Sequence, residues 1–173
     1  AYLAIQQLIT AAKKLKEERS WARFLVARFW YMWAVNAAAA FVVLYGIETI
    51  GLTDSQVQVV MLIGIVTGIP SGALWGKLVD KIGASVILKA GVASLFVLLC
   101  FTALIPIMGL PSWIWGLIGM LSGVSVSGIY VAERPLVLSM APPGRTGEYF
   151  GLNSMSGRLS AVAGPFSWGF IAV

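Results

Sequence analysis

The chain has 173 residues, 59% of them hydrophobic and only 11% charged, with 12 Lys and Arg, 7 Asp and Glu, no histidine and a formal charge of +5. A soluble domain carries about 25% charged residues to cover its outside, so composition excludes a water-soluble fold and puts most of the surface in lipid. At roughly 20 apolar residues per crossing, the length accommodates five or six spans with no soluble domain beside them. The lone Cys100 excludes a disulfide framework, and without histidine neither a metal site nor a cofactor is expected. The basic residues are dealt out in small groups between apolar runs, which argues for membrane topology and against nucleic-acid binding.

In chain order, residues 1–20 place Leu3, Ile5, Leu8, Ile9, Ala12 and Leu15 at helical spacing around the run KKLKEER. That pattern predicts an amphipathic linker helix lying on the cytoplasmic face. The first span is predicted over 24–46 and the second over 57–75, joined by GIETIGLTDSQ, which has turn residues and acids but nothing basic. Between Lys89 and Glu133 come 43 uncharged residues, roughly 65 Å of helix at 1.5 Å per residue, twice the hydrocarbon thickness. They must cross twice, over 86–108 and 112–132, breaking at IPIMGLP. A fifth span is predicted over 149–173, still apolar at Val173. Since the chain opens on Ala1, it is read as a piece of a longer protein. Trp21, Trp113 and Trp115 are expected to anchor span ends at the interface.

All twelve Lys and Arg fall before span one or opening it (Lys13, Lys14, Lys16, Arg19, Arg23, Arg28), around the second turn (Lys77, Lys81, Lys89) or around the fourth (Arg134, Arg145, Arg158). The first and third connections have none. This alternation predicts a multi-pass protein whose first segment is cytoplasmic, in the plasma membrane.

Several groups stand out within this frame. Gly64, Gly68, Gly72 and Gly76 recur every four residues in span two and line a helix face that a neighbour can approach closely, in static packing or in a sliding contact. Pro70 in the same helix frees a backbone carbonyl. The following GKLVDKIG, Gly76 to Gly83, reads as a compact hairpin in which Asp80 is either solvated or paired with Lys81, Arg134 or Arg145. Glu133 and Arg134 close span four, and with Asp80, Lys81 and Arg145 they can make a cytoplasmic gate cluster or a plain interfacial ion pair.

Asn36, mid-membrane in span one, either bonds a neighbouring helix or lines a cavity, and Tyr31 adds a second polar group. Arg158 lies about 13 Å into span five. It either meets a substrate carboxylate or an acid elsewhere in the protein, or snorkels toward the cytoplasm. Ser154, Ala161 and Pro165 share its face; Asn153, Gly157 and Gly164 share the adjacent one.

The pattern of Gly76, Asp80, Lys81 and Gly83 resembles the loop motif of the major facilitator superfamily of secondary transporters, although Ala84 and Ser85 stand where that motif has trailing basic residues. ARFWYMWAVN, from Ala27 to Asn36, and PPGRTGEYFGLNSMSGRLSAVAGP, from Pro142 to Pro165, are similar to the seventh and eleventh helices of the vacuole-effluxer-like (autophagy-related) permeases. The resemblance implies an all-α membrane protein of major facilitator fold, here a partial one with five transmembrane helices of the C-terminal six-helix half. It further implies a midplane cavity against the missing N-terminal half of the same chain, alternating access, and export of small solutes such as amino acids, with or without a coupled proton. The alternatives are a membrane-embedded enzyme, which would gather acids or histidines at one face, a receptor or scaffold, and a register of helices one to five of an antiporter with Gly164 and Pro165 in its helix-five motif.

Overall fold

The computed structural model describes residues 19–111 and 113–171, with side chains as far as Ser167; the linker helix expected over 1–20 therefore lies outside the described residues except for Arg19 and Ser20. Five helices follow one another: α1 Arg19–Glu48, α2 Asp54–Ile82, α3 Ala84–Met108, α4 Ile114–Met140 and α5 Thr146–Ile171. The first four are long and apolar enough to cross a membrane. At 26 residues α5 has the length, but Asn153, Arg158 and its many Ser and Gly make it more polar.

Local chemistry sets the ends. Gly51, at φ 77°, turns the chain out of α1, and α2 then starts on a capping box in which the Gln56 N–H donates to Thr53 Oγ1 and the Thr53 N–H donates to Gln56 Oε1. A single residue, Gly83, at φ 92° separates α2 from α3, a conformation that L side chains rarely adopt. Pro106 removes the N–H that would reach the Thr102 carbonyl; that carbonyl instead accepts the Tyr45 hydroxyl of α1 at 3.2 Å.

Several boundaries differ from expectation. GKLVDKIG is helical to Ile82, so Asp80 and Lys81 sit in the last turn of α2 and the turn reduces to Gly83. Glu133 does not end its helix but lies two turns before Met140. Trp21 and Trp115, each 2% exposed, are core residues and not interfacial anchors; Trp113 is exposed.

The chain divides into two units. In the first, formed by residues 19–38 and 137–171, Trp21 packs at 5.3 Å from Phe24 and 4.5 Å from Tyr149, with Val137 completing a buried cluster. The second, Ala39–Leu136, is built around Leu52, Val57, Ile105, Trp115 and Ile118. Within it α2 lies against α4 and α3 against α4, the latter joined by Ser94 Oγ donating to Ser125 Oγ at 2.9 Å.

Candidate functional site

The first unit brings α1 and α5 together along a seam that includes Asn36 and Ser160. Close approach of the two helices needs a face of small side chains, and Gly157, Ser160 and Gly164 supply it. A Cβ on Gly164 would lie 3.0 Å from the Trp33 carbonyl oxygen and 3.1 Å from the Ala37 nitrogen. Ser160 has no exposure; its hydroxyl donates to the Gly157 carbonyl at 2.8 Å. Asn36 donates through Nδ2 to the Met32 carbonyl at 2.7 Å and reaches Ser160 Oγ at 3.5 Å, and Ser156 donates to the Leu25 carbonyl at 3.4 Å. These bonds satisfy groups that lipid cannot.

Nearer the start of α1 on the same seam lies Arg28, 7% exposed. An added Cβ on Gly157 would meet its Nη1 at 2.8 Å and its Nη2 at 3.1 Å, so the end of the guanidinium faces the α5 backbone where a side chain is missing. Nine residues into α1, it stands about 13 Å from the helix start. Asn153 is buried one turn before Gly157, also 7% exposed, Tyr31 is half-buried, and Pro165 is half-buried inside α5. Arg158 and Ser154 lie on the exposed side of α5. A cation at the bilayer centre costs at least about 2.5 kcal/mol. An arginine within the hydrocarbon therefore requires protein or water about it.

The expectation for α5 thus divides. Asn153, Gly157 and Gly164 form its packed face, Ser154 and Arg158 its open one. Sequence reasoning treated Arg28 as the last of the cytoplasmic basic group; the signal that marks it is its setting in FLVARFWY, with five residues to Arg23 on one side and twenty to Glu48 on the other.

The other candidate group is divided between the two units, Arg145 belonging to the first and the rest to the second. Asp80, Lys81 and Arg134 are exposed, and Asp80 and Lys81 form no ion pair among the described residues; Glu133 is 6% exposed. Arg145 pairs with Glu148 at 2.9 Å and sits 5.9 Å from the Tyr149 ring centre, an exposed pair of i,i+3 type worth about 0–1 kcal/mol.

The glycine stripe of α2 meets a second stripe on α4 that sequence reasoning passed over. Gly64 approaches the Gly119 carbonyl, Gly68 the Gly123 carbonyl and Gly72 the Ser127 hydroxyl, while nothing lies within 4 Å of a Cβ on Gly76. Trp75 takes over there, covering Gly128 and donating through Nε1 to the Val124 carbonyl at 2.9 Å. Thr67 reaches the Met120 carbonyl at 3.3 Å. Among the described residues no group of three or more His, Cys, Asp or Glu is placed to hold a metal ion.

A family model described as Major Facilitator Superfamily matches residues 4–165. Among curated proteins the chain is similar to an uncharacterized MFS-type transporter, YxiO, of Bacillus subtilis (strain 168), with 24% identity over 162 residues, 94% of this chain and 37% of that protein. The chain thus spans little more than a third of that relative's length. No solved structure matches.

Proposed function

The chain belongs to the Major Facilitator Superfamily, and from that premise we propose that it supplies five membrane-crossing helices of a secondary active transporter that moves small solutes through a lipid bilayer by alternating access. The observation that carries the reading is the polar seam of α1 and α5. In a chain this apolar, Arg28, Asn36, Asn153 and Ser160 lie together inside the protein at membrane depth, where polar side chains mark a pathway. Our finer reading takes α1 to α5 as helices seven to eleven of a vacuole-effluxer-like permease, completed by an N-terminal half of the same chain. It takes amino acids as the solutes, export as the direction and a proton as the coupled ion. Support comes from the similarity of residues 27–36 and 142–165 to that family. The basic residues at the start of α1 and at the second and fourth connections support a cytoplasmic start to α1 in the plasma membrane.

Full-length protein reconstituted in liposomes tests this with labelled L-amino acids, counterflow, and an imposed pH gradient. Accumulation is expected, with loss in Arg158→Ala and Asn36→Ala; normal transport by both variants sinks the site assignment. Single cysteines introduced at Thr49 and Ala141 in a Cys100→Ser background test orientation, and an impermeant maleimide applied outside intact cells is expected to label only position 49. Six spans encoded upstream of Ala1 would support the register, whereas a start codon close by would assign helices one to five instead.

A further inference from the structure

We propose that the α2–α3 hairpin holds an anionic phospholipid, with Lys77 and Lys81 of α2 and Lys89 of α3 around its phosphate and its acyl chains on the apolar side chains beneath them. Both helices are long and apolar enough to cross a membrane, and Gly83 alone joins them, so the end of α2 and the start of α3 emerge at the same membrane face. All three lysines are exposed. Among the described residues none of them forms an ion pair or a side-chain hydrogen bond. Asp80 is the one acid between Asp54 and Glu133. Three lysines against that aspartate leave this end of the hairpin at +2, a charge that an anionic headgroup complements.

A lysine that only marks topology can sit at the end of its helix, in the aqueous connection. Lys77 and Lys89 are placed otherwise. Each lies six residues from Gly83, one on each arm, at a depth of about 9 Å along its helix. With 25 residues, α3 is about 37 Å long, some 7 Å more than a hydrocarbon core of about 30 Å, which puts Lys89 of a centred helix about 5 Å below the boundary. From there a lysine extends its ammonium to the headgroups while its stem stays among apolar atoms. The Cα–Cβ bond tilts toward the N-terminus of a helix. At Lys89 that direction is toward the turn, and at Lys81, in the last turn of α2, it is away from it, so the two stems set out toward one level from opposite sides. Packed helix axes lie about 8–10 Å apart, within reach of long lysine stems converging from both arms on a single phosphate. Exposed side chains continue this surface into the membrane: Leu74 and Leu78 flank Lys77, and Val86 and Phe96 share the face of Lys89. A free phosphate has no use for that surface, whereas the chains of a diacyl lipid cover it.

The test titrates full-length protein in detergent with dioleoylphosphatidylglycerol or dioleoylphosphatidylcholine and counts bound lipids by native mass spectrometry. Wild type is expected to retain one phosphatidylglycerol with a preference of about tenfold or more, since each basic residue beside an anionic headgroup changes affinity about fivefold. Lys77→Gln, Lys81→Gln and Lys89→Gln should each cut the preference about fivefold, and Lys77→Gln with Lys89→Gln should bring the two lipids level. Lys89→Arg, which keeps the charge, should keep the preference. Unfolding midpoints measured without lipid show which variants are folded, and a ratio between two lipids is independent of yield. A preference retained by the folded double variant overturns the proposal, as does equal retention of both lipids by wild type. Arg23→Gln removes an exposed charge outside the hairpin and should change nothing; a fall as large as that of Lys89→Gln would mean diffuse surface charge and no site. Displacement of the lipid by equal concentrations of inorganic phosphate or glycerol 3-phosphate would mean an anion site without acyl chains and would overturn the lipid assignment.

Discussion

Replacing Gly123 by alanine is expected to be the most damaging single-methyl change in the α2–α4 pair. Its Cβ would fall on the Gly64 carbonyl oxygen and stand 2.9 Å from Gly64 Cα, both backbone atoms of the facing helix, which have no rotamer by which to yield. Restoring an ordinary contact of about 3.5 Å requires the helices to separate by about 1 Å or more. That movement carries the Thr67 to Met120 bond, now 3.3 Å, beyond hydrogen-bonding distance and stretches the 2.9 Å bond from Trp75 to Val124. Overpacking costs about 1–3 kcal/mol, interhelical hydrogen bonds in membranes are worth about 0.6 kcal/mol each, and the better helix propensity of alanine returns at most about 1 kcal/mol. A net loss of about 1–3 kcal/mol follows. Gly119→Ala should come close behind, its Cβ lying 2.6 Å from the Val60 carbonyl oxygen; Gly72→Ala meets side chains alone, the Ser127 hydroxyl at 3.2 Å and a Val131 methyl at 3.8 Å, and should cost little. Gly76→Ala, with nothing within 4 Å, should be neutral or stabilising. Thermal unfolding of the full-length protein in detergent, followed by monodisperse elution, ranks the four. If Gly76→Ala lowers the unfolding midpoint as far as Gly123→Ala does, the contact assignment is wrong.

Tyr45→Phe removes the donor to the Thr102 carbonyl that Pro106 leaves without its helical partner. It is expected to cost about 1 kcal/mol, and less in a Pro106→Ala background, where the backbone N–H returns; additivity in the double-mutant cycle would refute this. Trp21→Ala empties a site that is 2% exposed and packed against two rings, and should cost about 3–5 kcal/mol in the same unfolding assay. Glu148→Gln breaks an exposed pair and should shift stability by less than about 1 kcal/mol, an effect that added salt should erase.

The helix order was legible because charge and apolar length are one-dimensional signals: the uncharged run from 90 to 132 exceeds one crossing and the basic residues avoid alternate connections. Contacts between helices were not. Four glycines at regular spacing look equivalent, yet crossing helices stay in closest contact over only a few turns, and Gly76 falls past the end of that contact. The GKLVDKIG segment looked like a loop because it holds two glycines and two lysines in eight residues; a helix whose end leaves the bilayer tolerates charges, and only Gly83 has a backbone that breaks it. Arg28 escaped because a cation near the start of a span is ordinarily a topology marker. Its packing against α5 depends on a missing side chain at position 157, which lies 129 residues away and shows no pattern linking the two.

The same reasoning bears on α5, the one helix of the five that is not apolar enough to count as a membrane span by composition. Such a helix gains little from lipid and must be held by neighbours. Its packed face supplies what is needed with minimal side chains: Gly164 against the Trp33 carbonyl and Ala37, Ser160 bonded within its own turn and to Asn36, and Gly157 against Arg28. Small residues there bury little apolar area, so the attachment depends on closeness and hydrogen bonds, each worth less than about 2 kcal/mol. A seam of that kind is firm while its backbones touch and weakens steeply with separation, since dispersion contacts lose a quarter to a half of their strength over a gap of 0.5–1 Å. A helix so attached, with Arg158 and Ser154 on its other side, can change neighbours at modest cost, as the proposed alternating access demands. Gly164→Leu would therefore be expected to abolish transport while leaving the α2–α4 pair intact. Spin labels placed on the exposed Ile69 of α2 and Tyr130 of α4 would then keep their wild-type separation, and a changed separation would mean that α5 holds the other helices together instead.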